Sequence, residues 1–165
     1  MNRRPKLNLV FSPLDRFVEI TGYVTLCLMW AIAMYAFREL PGTIPIHYNA
    51  SGRADGYGSK MFLLFLPVIP TIIFFGVTSL SRYPHIFNYM VTITEENARR
   101  QYTLAVRLLR VLKICIVLIF LVNVFFTYIF TDDIRSGGGA WNILFTFLVL
   151  LVPTIIYCVA ASRAR

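Results

Sequence analysis

Apolar residues along the chain collect into four long runs, at 17–37, 61–80, 111–130 and 141–161, separated by polar stretches. Each run holds about 20 residues. At about 1.5 Å of rise per residue, a helix of that length spans about 30 Å, the thickness of a hydrocarbon core. The pattern predicts an all-α integral membrane protein with four transmembrane helices, folded as a single membrane domain over residues 1–165. A basic start (Arg3, Arg4, Lys6, Arg16) precedes the first run, as in a signal peptide. The run exceeds the roughly 7–15 residues of a signal h-region, so it is read as a retained span with Glu19 as a boundary charge.

The interruptions carry their own signals. Pro67 and Pro70 lie within the second run, where each removes an amide donor, and a kink is expected there. After an irregular stretch from Ser81, Thr94 reads as a helix N-cap with Glu95 and Glu96 in the first turn. Ala98, Tyr102, Ala105, Val106 and Leu109 then recur at helical spacing, while Arg99, Arg107 and Arg110 fall on another face. This predicts an amphipathic surface helix leading into the third span, with Lys113 snorkelling towards the head groups and Asn123 bonding between helices. Thr131 to Ala140, with Asp132, Asp133 and three consecutive glycines, is expected to be a flexible turn. Pro153 lies inside the fourth run.

Composition agrees with this picture: 58% of residues are apolar, 15% are charged and mean hydropathy is +0.67. The net charge of +8 does not form a basic stripe interleaved with exposed aromatics, so nucleic acid is not an expected partner. The basic residues flank the apolar runs, which marks them as topology signals. With the N-terminus inside, twelve of the 16 Lys and Arg residues fall on the inner side. Arg38, Arg53, Lys60 and Arg135 remain outside. The positive-inside rule therefore predicts both termini inside and the loop 38–60 outside a cell (cytoplasmic) membrane. Cys27, Cys115 and Cys158 all lie within apolar runs without metal or redox spacing, and are read as small buried residues.

The chemically varied stretch is Pro41 to Lys60. Pro45 holds its start extended and biases Ile44 the same way. Ser51-Gly52 and Asp55-Gly56 are turn signals, so a compact hairpin-like loop is expected in which His47 and Asp55 approach. Lys60 falls at the N-terminus of the second helix, where a cation opposes the helix dipole, and Asp55 or an anionic ligand is expected to hold it. Pro45, His47, Asn49, Gly52, Asp55, Gly58 and Lys60 form the candidate ligand-binding set. No cofactor is expected. A metal is disfavoured because zinc wants three or four ligands and the one other histidine, His85, belongs to the opposite side. Asn49-Ala50-Ser51 is a glycosylation sequon, with meaning only in a eukaryotic secretory pathway.

Leu40-Pro41-x-x-Ile44-Pro45-Ile46-His47-Tyr48-Asn49, followed by Gly52, Asp55-Gly56 and Ser59-Lys60, resembles the N-terminal domain of unknown function in the SdpI-type bacterial immunity membrane proteins. Tyr83-Pro84-x-x-Phe87-Asn88-Tyr89 and Ile93 to Asn97 resemble the stretch after that family's second span. The resemblance covers residues 17 to 130. It implies a bacterial inner-membrane protein giving immunity against a secreted toxin, coupled in the family to signalling. The family's further spans and second conserved region are missing from this chain. The expected partners are the bilayer, a secreted peptide or toxin, and further copies of the chain. Two other classes stay open: a membrane-embedded enzyme using a His47/Asp55 dyad, and a transporter or channel subunit. Against the first, no Ser or Cys nucleophile accompanies the pair; against the second, no acid or base lies at mid-bilayer depth in the apolar runs.

Overall fold

The computed structural model describes residues 4–49, 53–130 and 139–164. The glycine turn at 131–138 and Gly52 lie outside the described residues. The helices are α1 (Pro13–Glu39), α2 (Phe65–Leu80), α3 (Ala98–Phe130) and α4 (Gly139–Ser162); among the described residues four helical stretches are long and apolar enough to cross a membrane, the second of them being α2 together with the 3₁₀ turn before it, Lys60–Leu80. Between α1 and α2 the chain forms an antiparallel hairpin of β1 (Thr43–Tyr48) and β2 (Ala54–Ser59).

Helix α1 starts four residues before its apolar run, because Ser12-Pro13-x-Asp15 forms a capping box. The Asp15 amide donates to Ser12 Oγ (3.2 Å), and the Ser12 amide donates to Asp15 Oδ2 (2.9 Å). Proline at the first helical position loses nothing, since that amide has no helical acceptor. The helix ends at Glu39; Leu40, ahead of Pro41, is extended, as a pre-proline residue prefers. Helix α3 has a comparable start: the Asn97 amide donates to Thr94 Oγ1 (3.3 Å), and the Thr94 amide donates to Asn97 Oδ1 (2.9 Å).

The prolines of the second run act differently from each other. A 3₁₀ turn at Lys60–Leu64 precedes α2, which places Pro67 in the first turn of α2, where its missing amide costs no helical bond. Only Pro70 lies inside the helix. The Thr71 hydroxyl donates to the Pro67 carbonyl (2.6 Å) and accepts from Trp30 Nε1 on α1 (3.0 Å).

Helix α3 is the centre of the bundle, packing against α1, α2 and α4, and α1 and α2 meet it more extensively than they meet each other. One buried cluster joins Leu26 and Met29 of α1, Phe74 of α2 and Val117 of α3. Gly22 permits this approach, since a Cβ there would lie 2.9 Å from the Phe74 ring. The exposed Leu148, Leu151, Ile155 and Ile156 on α4 form a lipid-facing surface. With 33 residues, α3 is about 50 Å long and outlasts the hydrocarbon core by about 20 Å. Its first turns, read from sequence as a surface helix, are covered by protein: Ala98, Tyr102 and Val106 are buried. Tyr102 donates to the Pro5 carbonyl (3.1 Å). Gln101 Nε2 donates to the carbonyls of Ala161 (2.9 Å) and Ala164 (3.0 Å) at the end of α4.

Candidate functional site

The hairpin stands on the bundle through apolar contacts. Ile44 of β1 and Leu63 of the 3₁₀ turn are buried with Ala33 and Ala36 of α1, Leu40 just after it, and Val124 of α3. The two strands pair from Thr43 opposite Ser59 to Tyr48 opposite Ala54, with register shifts on either side of His47. Ile46 on β1 and Asp55 on β2 are the extra residues. Such paired bulges re-aim side chains, and here they bring His47 Nδ1 into hydrogen-bond contact with Asp55 Oδ1. Both side chains remain in solvent, at 71% and 44% exposure.

Each other described member of the candidate set has an identifiable structural task. Pro45 is buried at the hairpin base. The Asn49 amide donates to the Arg53 carbonyl (2.9 Å), and Asn49 Oδ1 accepts from the Arg53 amide (3.1 Å), closing the turn. Gly58 lies under Ile46, whose Cδ1 would be 2.7 Å from a Cβ at that position. Gly56 lies against His47, whose Cβ would be 2.9 Å from an added Cβ. Lys60 is not held by Asp55. Its Nζ donates to the Leu40 carbonyl at the end of α1 (3.1 Å) and sits 4.9 Å from the centre of the Phe37 ring. The cation that opposes the dipole of the second helix thus satisfies the negative end of the first. Among the side chains the hairpin leaves in solvent are His47, Asp55 and the larger Ile46, Tyr48 and Tyr57. Burial, and then the neighbouring Tyr57 phenol, raises the Tyr48 phenol above its ordinary value.

A second cluster lies at the other end of the bundle. Arg107 grips Asp15 with two prongs, Nε to Oδ1 at 2.7 Å and Nη2 to Oδ2 at 3.0 Å. Glu19 takes Lys113 Nζ at 2.5 Å and Arg110 Nε at 3.3 Å. Lys113 does not snorkel: it is 1% exposed, donates to Thr78 Oγ1 as well (2.8 Å), and its Nζ lies 4.2 Å from the centre of the Phe74 ring. The carboxylate of Glu19 draws it inward, which makes Glu19 more than a boundary charge. Asn123 donates to the Ile119 carbonyl one turn earlier on its own helix (2.7 Å). Among the described residues, no three His, Cys, Asp or Glu side chains gather as a metal would require. The sequence did contain a signal for the ion-pair cluster. Asp15 and Glu19 are four apart, Arg107, Arg110 and Lys113 are three apart, and each set makes one stripe on its helix.

Comparison with known proteins adds two findings. The family described as Domain of unknown function (DUF1648) matches residues 24–71, from α1 through the hairpin to the middle of α2. An uncharacterized protein of Archaeoglobus fulgidus is 32% identical over 91 residues, covering 48% of this chain and 50% of that protein. The chain thus spans about half the length of the curated relative it matches. No solved structure matches.

Proposed function

We propose that this is a small multi-pass membrane protein whose β1–β2 hairpin recognises an extended peptide, as a secreted toxin or envelope component presents one, on the outer side of a cytoplasmic membrane. The observation that carries this reading is the His47–Asp55 pair. It stands exposed at a double bulge, on a hairpin whose other described candidate residues hold the hairpin together and fix it to the bundle. A two-stranded sheet offers strand edges to an incoming peptide, which gains main-chain hydrogen bonds there while side chains such as Tyr48 and Tyr57 supply selectivity. The imidazole and carboxylate add a polar, directional contact at the centre of that surface. The excess of Lys and Arg on the other side of the membrane supports an outward hairpin, and the likeness to the immunity family supports a secreted peptide as the ligand.

The test is protection. Sensitive cells expressing the wild type, His47→Ala or Asp55→Ala are challenged with secreted peptides from competing strains. Protection by the wild type and its loss in both variants, at equal membrane abundance, is the expected result. Protection that survives both substitutions would remove the hairpin from the function.

A further inference from the structure

At the end of the bundle away from the hairpin, residues 7–11, the first half of α1, the end of α2 and the middle of α3 line a half-open cavity of about 580 Å³. Part of its lining is ionic, from Arg82, Arg110, Lys113 and Glu19, and part apolar, from residues such as Leu9 and Phe11. The charges do not balance. Across the cavity and the adjoining ion pairs, four cations (Arg82, Arg107, Arg110, Lys113) meet two carboxylates (Asp15, Glu19), a surplus of two positive charges. Asp15 is occupied by Arg107, and Glu19 by Lys113 and Arg110. Arg82 is exposed and makes no ion pair among the described residues. Arg110 is held by Glu19 at Nε and by the Phe11 ring, 3.8 Å from its Cζ. Its Nη1, by contrast, is buried without a hydrogen-bond acceptor, with Asp15 Oδ1 4.0 Å away. A buried guanidinium donor left unsatisfied is unfavourable, and an oxyanion is the acceptor that a guanidinium fork matches best.

We propose that this cavity binds a phosphate-bearing anion, presented as the headgroup of an anionic phospholipid. Surplus charge, the exposed Arg82 and the unsatisfied Arg110 donor beneath the cavity wall supply the anion specificity. The volume and the mixed lining favour the lipid, because a bare phosphate would leave the apolar part of the cavity unfilled, whereas a glycerol backbone and the first acyl carbons would cover it. The position fits as well. The cavity lies at the basic end of the bundle, the end that the charge distribution assigns to the inner leaflet, where anionic lipids concentrate.

The experiment uses the whole chain purified in non-ionic detergent. Dioctanoyl phosphatidylglycerol is titrated and followed by native mass spectrometry, with dioctanoyl phosphatidylcholine and inorganic phosphate as competitors. The expected result is one phosphatidylglycerol per chain that phosphatidylcholine does not displace. Arg82→Gln, on the surface outside the helices, weakens binding about fivefold, the contribution of one surface cation. Arg110→Lys, which keeps the charge but loses the fork, also weakens it, while Arg163→Gln does not. Melting temperature confirms that each variant is folded. Displacement by inorganic phosphate at similar concentration supports the anion site and assigns it to the free ion. Equal retention of phosphatidylcholine and phosphatidylglycerol, or undiminished binding in both Arg82→Gln and Arg110→Lys, overturns the proposal.

Discussion

Lys113 Nζ and Glu19 Oε1 lie 2.5 Å apart, joining the middle of α3 to the start of α1, with the lysine buried. A buried pair of this kind makes its members interdependent, and removal of Lys113 leaves Glu19 with Arg110 Nε, 3.3 Å away, as its remaining cation. Lys113→Met is expected to destabilise the bundle by about 1–3 kcal/mol, less than a buried pair broken with no second partner. Glu19→Gln is expected to cost more, because it takes the carboxylate from both Lys113 and Arg110. Thermal unfolding in detergent distinguishes the two. A Glu19→Gln variant no less stable than Lys113→Met would mean that Arg110 draws nothing from the carboxylate.

Lys60 predicts a separation of stability from recognition. Lys60→Ala removes a bond to the last carbonyls of α1 and a cation–π contact with Phe37, at a cost of about 1 kcal/mol. Peptide recognition persists, because His47 and Asp55 are held by the hairpin itself. A lower melting temperature with intact protection is the expected outcome.

Gly56 has the opposite profile. Its replacement by alanine sets a methyl group against the His47 Cβ, a position that has no freedom to rotate away, and pushes the imidazole off Asp55. Gly58→Ala meets most closely the terminal methyl of Ile46, which can turn aside, while Ile46 Cγ2 and the Phe62 ring lie at 3.4 Å. Hydrogen exchange of the hairpin amides is expected to accelerate in Gly56→Ala and to change little in Gly58→Ala, with protection following the same order.

Thr71 links α2 to α1 through the indole of Trp30. Thr71→Val keeps the shape and removes the acceptor, leaving an indole N–H without its partner at a cost of about 1–3 kcal/mol. Trp30→Phe/Thr71→Val removes both partners and is expected to cost less than the sum of the single changes. A double-mutant cycle on unfolding free energies measures that coupling.

The membrane helices were legible in the sequence because lipid imposes a length and a composition that few other environments demand. Proline and glycine positions likewise announced the hairpin and the approach of His47 to Asp55. Lys60 was misread because dipole reasoning considered the helix it begins and not the helix end that folds back beside it. The pairing of Asp15 and Glu19 with Arg107, Arg110 and Lys113 was missed for a related reason. Each charge, judged on its own helix, belongs at a water-exposed boundary, and only the packing of α3 against α1 turns them towards each other. Pro67 shows the same limit on a small scale: its effect depended on where the helix begins, which the 3₁₀ turn decided.

The central place of α3 bears on what the segment 24–71 is. That segment contains most of α1, the hairpin and the first half of α2, but none of the helix against which both are packed. Its recurrence as a sequence unit is therefore not autonomy as a folding unit. Phe74, Lys113 and Val117, which fill the space between α1 and α2, all lie beyond its end. In this chain, therefore, the first helix and the hairpin lack the surface they pack on until α3 has been made.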